Sequence, residues 1–234
     1  MSQTKPVKVV ALLSGGIDSV VAAWMAGKAG ADIIPVHLDN SPYAPKYVKT
    51  RVIELVNRLA QLLKKRLKLY IIPHGKNQKS IMTAAPKRLI CVLCRRMMYR
   101  LGEAVAEKED AYALVTGESM AQVASQTLLN LAAETRSINI PVIRPLLCLD
   151  KEEIVKIAKK IGTYEISCKR DEGCYSAMTR SVCCYATPKY PETRANIKEV
   201  EEVEKKIQIN ELLNISMRNS EIREISFANE EMIK

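Results

Sequence analysis

The chain has 234 residues, 47% apolar and 26% charged, a balance that excludes a disordered polyelectrolyte and suits one large α/β domain or two small ones. No apolar run approaches the roughly 18 residues that span a bilayer, and the short apolar start runs directly into a glycine turn, unlike a signal peptide; no membrane association is expected, and the expected location is cytoplasmic. The net charge of +10, from 36 Lys and Arg against 26 Asp and Glu, favours a polyanionic partner, because basic side chains displace condensed counterions from phosphate.

In chain order, residues 7–13 form a continuous apolar run, the pattern of a strand buried on both faces of a parallel sheet. It ends in Ser14-Gly15-Gly16-Ile17-Asp18-Ser19, and residues 20–29 read as a small-residue helix stopped by Gly30. A second buried strand is expected over 32–38. Apolar residues at helical spacing follow over 45–66, then a third strand over 67–72. A helix over 93–108, a fourth strand over 111–116 and a helix over 122–133 come next. Residues 141–145 read as a short extended piece, and 151–161 as a helix with Gly162 as its stop. Strands alternating with helices at this spacing predict an α/β fold, a doubly wound parallel sheet with flanking helices. The organisation expected is a core over 1–163, a Cys-rich loop over 164–191 closing on the active site, and a C-terminal helix with an extension over 192–234. That helix is expected over 194–213.

The sharpest chemical signal is the loop 14–19. Glycines let backbone N–H groups turn toward a phosphate, and the helix that follows presents the positive end of its dipole. Ser14 and Ser19 add hydroxyls. Asp18 would repel phosphate unless it holds Mg²⁺ or caps the helix. The loop is neither a Walker A sequence nor Gly-x-Gly-x-x-Gly. Order of strand, loop, acid and helix favours a phosphate site over a plain capped turn.

Ser-Gly-Gly-Ile-Asp-Ser after a first strand resembles the PP-loop of the ATP pyrophosphatases, enzymes that split ATP between its α and β phosphates and adenylate a carbonyl oxygen. Further motifs narrow the resemblance to the tRNA 4-thiouridine synthase (tRNA sulfurtransferase) family: Cys94 to Arg100, Ala113 to Ser119, Gln122 to Thr127, Pro141 to Leu146, Asp150 to Ile154 and Ile161 to Ser167. Together they cover about residues 7 to 200. The resemblance implies ATP contacts at Leu12, Leu13, Ser14, Gly15, Gly16, Ile17, Asp18, Ser19, His37, Leu38, Arg95, Gly117 and Gln126, the leucines and the His37-Leu38 pair through their backbone. It implies roles in adenylation for Asp18 and Lys151, with Mg²⁺ accompanying ATP. Each has a plainer reading: His37 as a satisfied core residue, Arg95 as one charge on a solvated face, Lys151 as a surface lysine placed against its helix dipole.

Seven cysteines, an odd number, argue for metal, cluster or redox use rather than a disulfide framework. The resemblance implies a persulfide-accepting cysteine before the Pro188-Lys189-Tyr190-Pro191 segment. Cys183 is the first choice and Cys184 stands beside it; Arg180 and Lys189 would favour the thiolate. Cys91 and Cys94 form a C-x-x-C that could be redox-active, half a zinc site, or, with Cys183, a three-cysteine holder for a [4Fe–4S] cluster; zinc would take Cys174 or Cys184 as a fourth ligand beside those three. Cys148 is expected in the core; Cys168 stays unassigned. One Phe and one Trp argue against an aromatic stacking platform for single-stranded RNA.

The expected activity is ATP-dependent tRNA sulfur transfer giving 4-thiouridine. The alternatives are a PP-loop enzyme acting on another RNA base or small carbonyl compound, and a non-catalytic nucleotide-binding partner subunit. The family's members usually carry a ferredoxin-like region, a THUMP RNA-binding domain and in some cases a rhodanese domain, and this chain shows only the PP-loop part. A separate THUMP protein or the basic surface would then present tRNA. Sulfide or a persulfide carrier would supply sulfur, and a homodimer is a further expectation. Val20 stands where the family often has Pro, and the segment 168–180 is longer than usual.

Overall fold

The structure, a computed structural model, describes residues 6–120, 126–169 and 186–227. Five parallel strands form the sheet: β1 (Lys8–Leu12), β2 (Asp32–Asp39), β3 (Leu67–Pro73), β4 (Ala113–Val115) and β5 (Val142–Ile143). A sixth, β6 (Glu221–Ile225), runs antiparallel to β3 at one edge, and the strand order is β5-β4-β1-β2-β3-β6. Side chains alternate across the sheet as the two-residue period requires. Val9, Ala11 and Leu13 enter one apolar cluster and Val10 and Leu12 the other, which is why β1 reads as an unbroken apolar run.

Helices α1 (Ile17–Lys28) and α2 (Tyr47–Leu63) follow β1 and β2. With α6 (Lys151–Lys160) and α7 (Tyr164–Cys168) they fill the core on one face. The opposite face holds α3 (Gly75–Ala84), α4 (Ile90–Glu109), α8 (Ile197–Glu204) and α9 (Ile209–Arg218), while α5 (Leu128–Thr135) packs against α4. The chain therefore winds from β1 outward to β3 over one face, crosses by α4 on the other, and returns to β4 beside β1. This reversal between β1 and β4 opens a crevice at their C-terminal ends, where doubly wound sheets bind ligands.

Several expectations need correction. The helix expected over 194–213 is two helices: the turn at residues 205–208 lets Ile207 bury, while Glu204 is gripped by Arg96 and Arg100. The extension beyond 216 continues α9 to Arg218 and then supplies β6, whose partner β3 lies some 150 residues earlier. The helix expected from 122 starts at Leu128, where Thr127 caps it through the Asn130 amide; residues 121–125 lie outside the described residues. The loop region from 164 opens with the short helix α7, and α3 occupies a stretch with no expected element. Cys148 is exposed rather than in the core, because it sits in the turn leading to the α6 cap while its neighbour Leu146 takes the buried position. Among the described residues, no helix is long and apolar enough to cross a membrane.

Candidate active site

Residues 14–16 form the turn between β1 and α1. Gly15 has φ +80°, the left-handed region that favours glycine. Ser19, buried on the first turn of α1, organises the loop: its Oγ lies 3.2 Å from both the Ser14 amide and the Ser14 hydroxyl and donates to the Gly16 carbonyl at 3.3 Å. Gly16 is the N-cap and no side chain caps the helix. The first-turn amides and the helix dipole thus face the crevice, the arrangement that binds phosphate.

Asp18 is therefore not the helix cap. Its Oδ1 accepts from Lys151 Nζ at 2.5 Å. Lys151 is the first residue of α6, just after Asp150, which caps that helix in a reciprocal capping box with Glu153. A lysine at a helix N-terminus opposes the dipole, and Asp18 is the partner that holds it there. Acid and base, 133 positions apart in sequence, meet at the mouth of the glycine loop.

Gly117, in the turn after β4, lies against the other side of the loop. A Cβ there would stand 2.6 Å from Ser19 Cα and N and 2.7 Å from the Asp18 carbonyl carbon. Only glycine lets the β4 turn lie this close to the start of α1. The Ser119 amide then donates to Gln126 Oε1 at 3.3 Å, bringing Gln126 to the same turn.

The His37 ring is buried, and Leu13 O accepts from its Nδ1 at 2.9 Å. Burial lowers its pKa, against the raising effects of that bond and of Asp39. The ring thus ties β2 to the base of the loop, while Leu12, Leu13 and Leu38 are core residues by their side chains; a ligand at this edge would meet their main chain.

Behind Gly117 stands a charged network that the sequence reading missed. Glu118, buried, accepts from Arg95 at 3.2 Å, from Arg144 at 2.8 Å and from the hydroxyls of Tyr99 and Thr116 at 2.5 Å each. Burial alone would raise its pKa, but Arg95, Arg144 and the two hydroxyls hold it below the usual carboxylate range. Glu134 lies 3.6 Å from Arg95 but makes no hydrogen bond through either oxygen. Burial pushes its pKa to about 8, with Arg95 opposing and Glu118 adding to the rise. Arg95 thus stands between two buried carboxyl groups whose acidities are pushed in opposite directions. Both Glu118 and Arg144 lie inside the motifs quoted for the family resemblance, which was the available signal.

Cys91 lies in the first turn of α4 and Cys94 at the start of the second, three residues apart and so on neighbouring positions of one face. Cys94 is buried and Cys91 partly so. Cys94 Sγ lies 3.3 Å from Nε2 of His74, a ring held neutral by burial with its pKa lowered to about 4. Cys174, Cys183 and Cys184 lie outside the described residues, and no group of three or more metal-ligating side chains is assembled among the described residues. The paired sulfurs suit a soft metal or a cluster as two ligands of a larger set.

A doubly wound sheet with an uncapped glycine loop at its reversal point, and a Lys–Asp pair at the loop's mouth, defines an α/β protein of the PP-loop ATP pyrophosphatase type. Residues 5–209 match the model of the ThiI family, "Thiamine biosynthesis protein (ThiI)", and the chain belongs to that family. It is 40% identical over 219 residues to a probable tRNA sulfurtransferase of Acetivibrio thermocellus, covering 94% of this chain and 54% of the relative. It is 42% identical over 215 residues to one of Thermus thermophilus, covering 92% and 51%. The chain thus spans about half the length of the curated relatives it matches. A crystal structure of a 4-thiouridine synthetase–RNA complex with bound ATP superposes with a TM-score of 0.86 at 36% identity, covering 94% of this chain and 55% of that one. The NMN synthetase of Francisella tularensis shares the fold, with a TM-score of 0.54 at 17% identity over 91% of this chain and 84% of its own.

Proposed function

We propose that this chain adenylates the O4 of a tRNA uridine with ATP and that sulfur then replaces the activated oxygen, giving 4-thiouridine, AMP and pyrophosphate. The observation that carries this reading is the Asp18–Lys151 pair set across an uncapped, glycine-built helix N-terminus. The names of the relatives and of the ATP- and RNA-bound structure support it.

In this reading the amides of residues 15–17 and the hydroxyls of Ser14 and Ser19 hold the phosphates. The main chain of Leu12, Leu13, His37 and Leu38 lines the nucleotide, and the Gly117 turn and Gln126 close it from the β4 side. Asp18 is the residue that would hold Mg²⁺, which supplies charge neutralisation on the phosphates when bound. Lys151 then turns from Asp18 to the α-phosphate, where charge develops as O4 attacks phosphorus and the bond to pyrophosphate breaks. With hydrogen sulfide as donor the second step balances: N3 gave up its proton when O4 was adenylated, HS⁻ attacks C4, AMP leaves with the former O4, and the remaining S–H proton moves to N3. A persulfide carrier, with Cys183 as acceptor, is the alternative sulfur route. The net charge of +10 supplies the electrostatic attraction for tRNA, with or without a separate THUMP protein, and the setting we propose is cytoplasmic.

The test measures pyrophosphate release and thionucleoside formation with and without tRNA. Stimulation of both by tRNA is expected, with loss of both in Asp18→Ala. Stimulation by a small carboxylic acid or ketone but not by tRNA would overturn the reading.

A further inference from the structure

One route proposed above passes sulfur through a cysteine, Cys183, and the described residues show a further cysteine, Cys94, whose sulfur is held by a buried ring. Cys94 Sγ lies 3.3 Å from His74 Nε2. On the far side of the ring, Nδ1 lies 3.1 Å from Asn77 Nδ2, and the same amide nitrogen donates to Ser216 Oγ at 3.0 Å, while Ser216 Oγ returns a bond to Asn77 Oδ1 at 3.3 Å. His74, Asn77 and Ser216 are all buried, at 0%, 0% and 3% exposure. The chain of bonds thus runs from α4 through the start of α3 to α9, all shielded from water.

The place of His74 is over-determined. Its amide donates to Asp39 O at 2.7 Å, anchoring it to the end of β2, and its carbonyl accepts from Gln78. A Cβ on the next residue, Gly75, would lie 2.0 Å from Ser41 O, so the backbone here is pressed against the loop that follows β2. The ring therefore stands at the C-terminal edge of the sheet, where the loop 14–19 also lies, with one nitrogen aimed at a cysteine.

A neutral imidazole has one donor and one acceptor nitrogen. An amide NH₂ can only donate, so Nδ1 beside Asn77 Nδ2 must accept, and the proton sits on Nε2. We propose that His74 is a positioning residue for Cys94: it donates Nε2–H to Sγ, fixes the sulfur's direction, and keeps it an electron-pair donor for the sulfur step. When Cys94 carries a proton, its S–H has Met98 Sδ at 3.9 Å as acceptor. This role deepens the proposed sulfur transfer and takes its functional meaning from that reading.

The chain has two histidines, so a long-range ¹⁵N–¹H spectrum of ¹⁵N-histidine protein resolves both rings. His37 donates from Nδ1 to a carbonyl, which can only accept, and must be the opposite tautomer. The expected spectrum shows one Nδ1–H ring and one Nε2–H ring, the latter vanishing in His74→Phe. Two Nδ1–H rings would mean that Asn77 presents its oxygen and Cys94 is the donor, which overturns the proposal. In kinetics, His74→Phe is expected to keep tRNA-dependent pyrophosphate release within about twofold while thionucleoside formation falls about tenfold or more, the size of loss usual for an outer hydrogen bond to a reactive ligand. Equal thiolation by His74→Phe and wild type would also overturn it. If the wild type makes no thionucleoside at all, the function reading fails, and the tautomer measurement still decides the hydrogen bond.

Discussion

Gly117→Ala places one methyl group against the loop at residues 14–19 and nothing else. Its Cβ would fall 2.6 Å from Ser19 Cα and N, and 2.7 Å from the Asp18 carbonyl carbon. Contacts between such atoms are favourable near 3.5–4.0 Å, so the loop or the β4 turn must retreat by about 1 Å. Both neighbours are backbone, and Ser19 is bonded to Ser14 and Gly16, so no side-chain rotation can relieve the overlap. Overpacking of this kind costs about 1–3 kcal/mol, which in a chain of this size lowers Tm by about 2–12 °C. The functional loss should be larger in proportion, because a misplacement of about 1 Å at a reacting centre costs on the order of 100-fold. Differential scanning calorimetry, ATP titration calorimetry and tRNA-dependent pyrophosphate release would measure the three effects. A folded Gly117→Ala protein with wild-type ATP affinity and turnover would refute the placement of the β4 turn against the loop.

Asp18→Asn and Lys151→Ala should each abolish turnover by at least about 100-fold while moving Tm by less than about 4 °C, because a half-exposed ion pair contributes at most about 1 kcal/mol; a large stability loss with retained turnover would make the pair structural. Glu134 has a raised folded pKa, about 8, so its neutral form favours folding below the unfolded carboxyl range and that contribution is lost as pH rises toward 8. Wild type should therefore lose stability relative to Glu134→Gln between about pH 5 and 8, by up to about 1.4 kcal/mol per pH unit, and denaturant melts across that range that stay parallel would contradict it. Arg96→Met leaves buried Glu204 with Arg100 as its remaining ion-pair partner, and should cost about 3 kcal/mol without changing ATP affinity, as urea unfolding and nucleotide titration would report.

How much of this was legible beforehand differs from element to element. The first three strands and α1, α2, α4 and α6 were readable because each declares itself within one short window, by an unbroken apolar run or by apolar residues at helical spacing. The loop 14–19 was readable as a turn because paired glycines between a buried strand and a helix suit a sharp change of direction. The motif resemblance reached further than spacing alone: it marked Lys151, Gly117, Gln126 and Arg95 long before the fold could show three of them gathered around one turn. It did not reveal Glu118 as the hub that holds Arg95 and Arg144, since a carboxylate's role depends on which charges converge on it. His74 was passed over too, although it follows the third strand directly, at the sheet edge where doubly wound folds place ligands.

The amino-acid sequence by itself determined the class of fold, the glycine turn between β1 and α1 and the net positive charge, because these follow from local periodicity, from glycine's backbone freedom and from summed charge. Only the tertiary structure decided that Asp18 meets Lys151 rather than capping its own helix, that Glu204 ends one helix by turning to Arg96 and Arg100, and that residues 221–225 close the sheet's edge in reverse. Each of those outcomes is a pairing between segments far apart in the chain. The partner is chosen by which surfaces the sheet and its helices bring within reach, and no short window of residues contains that information.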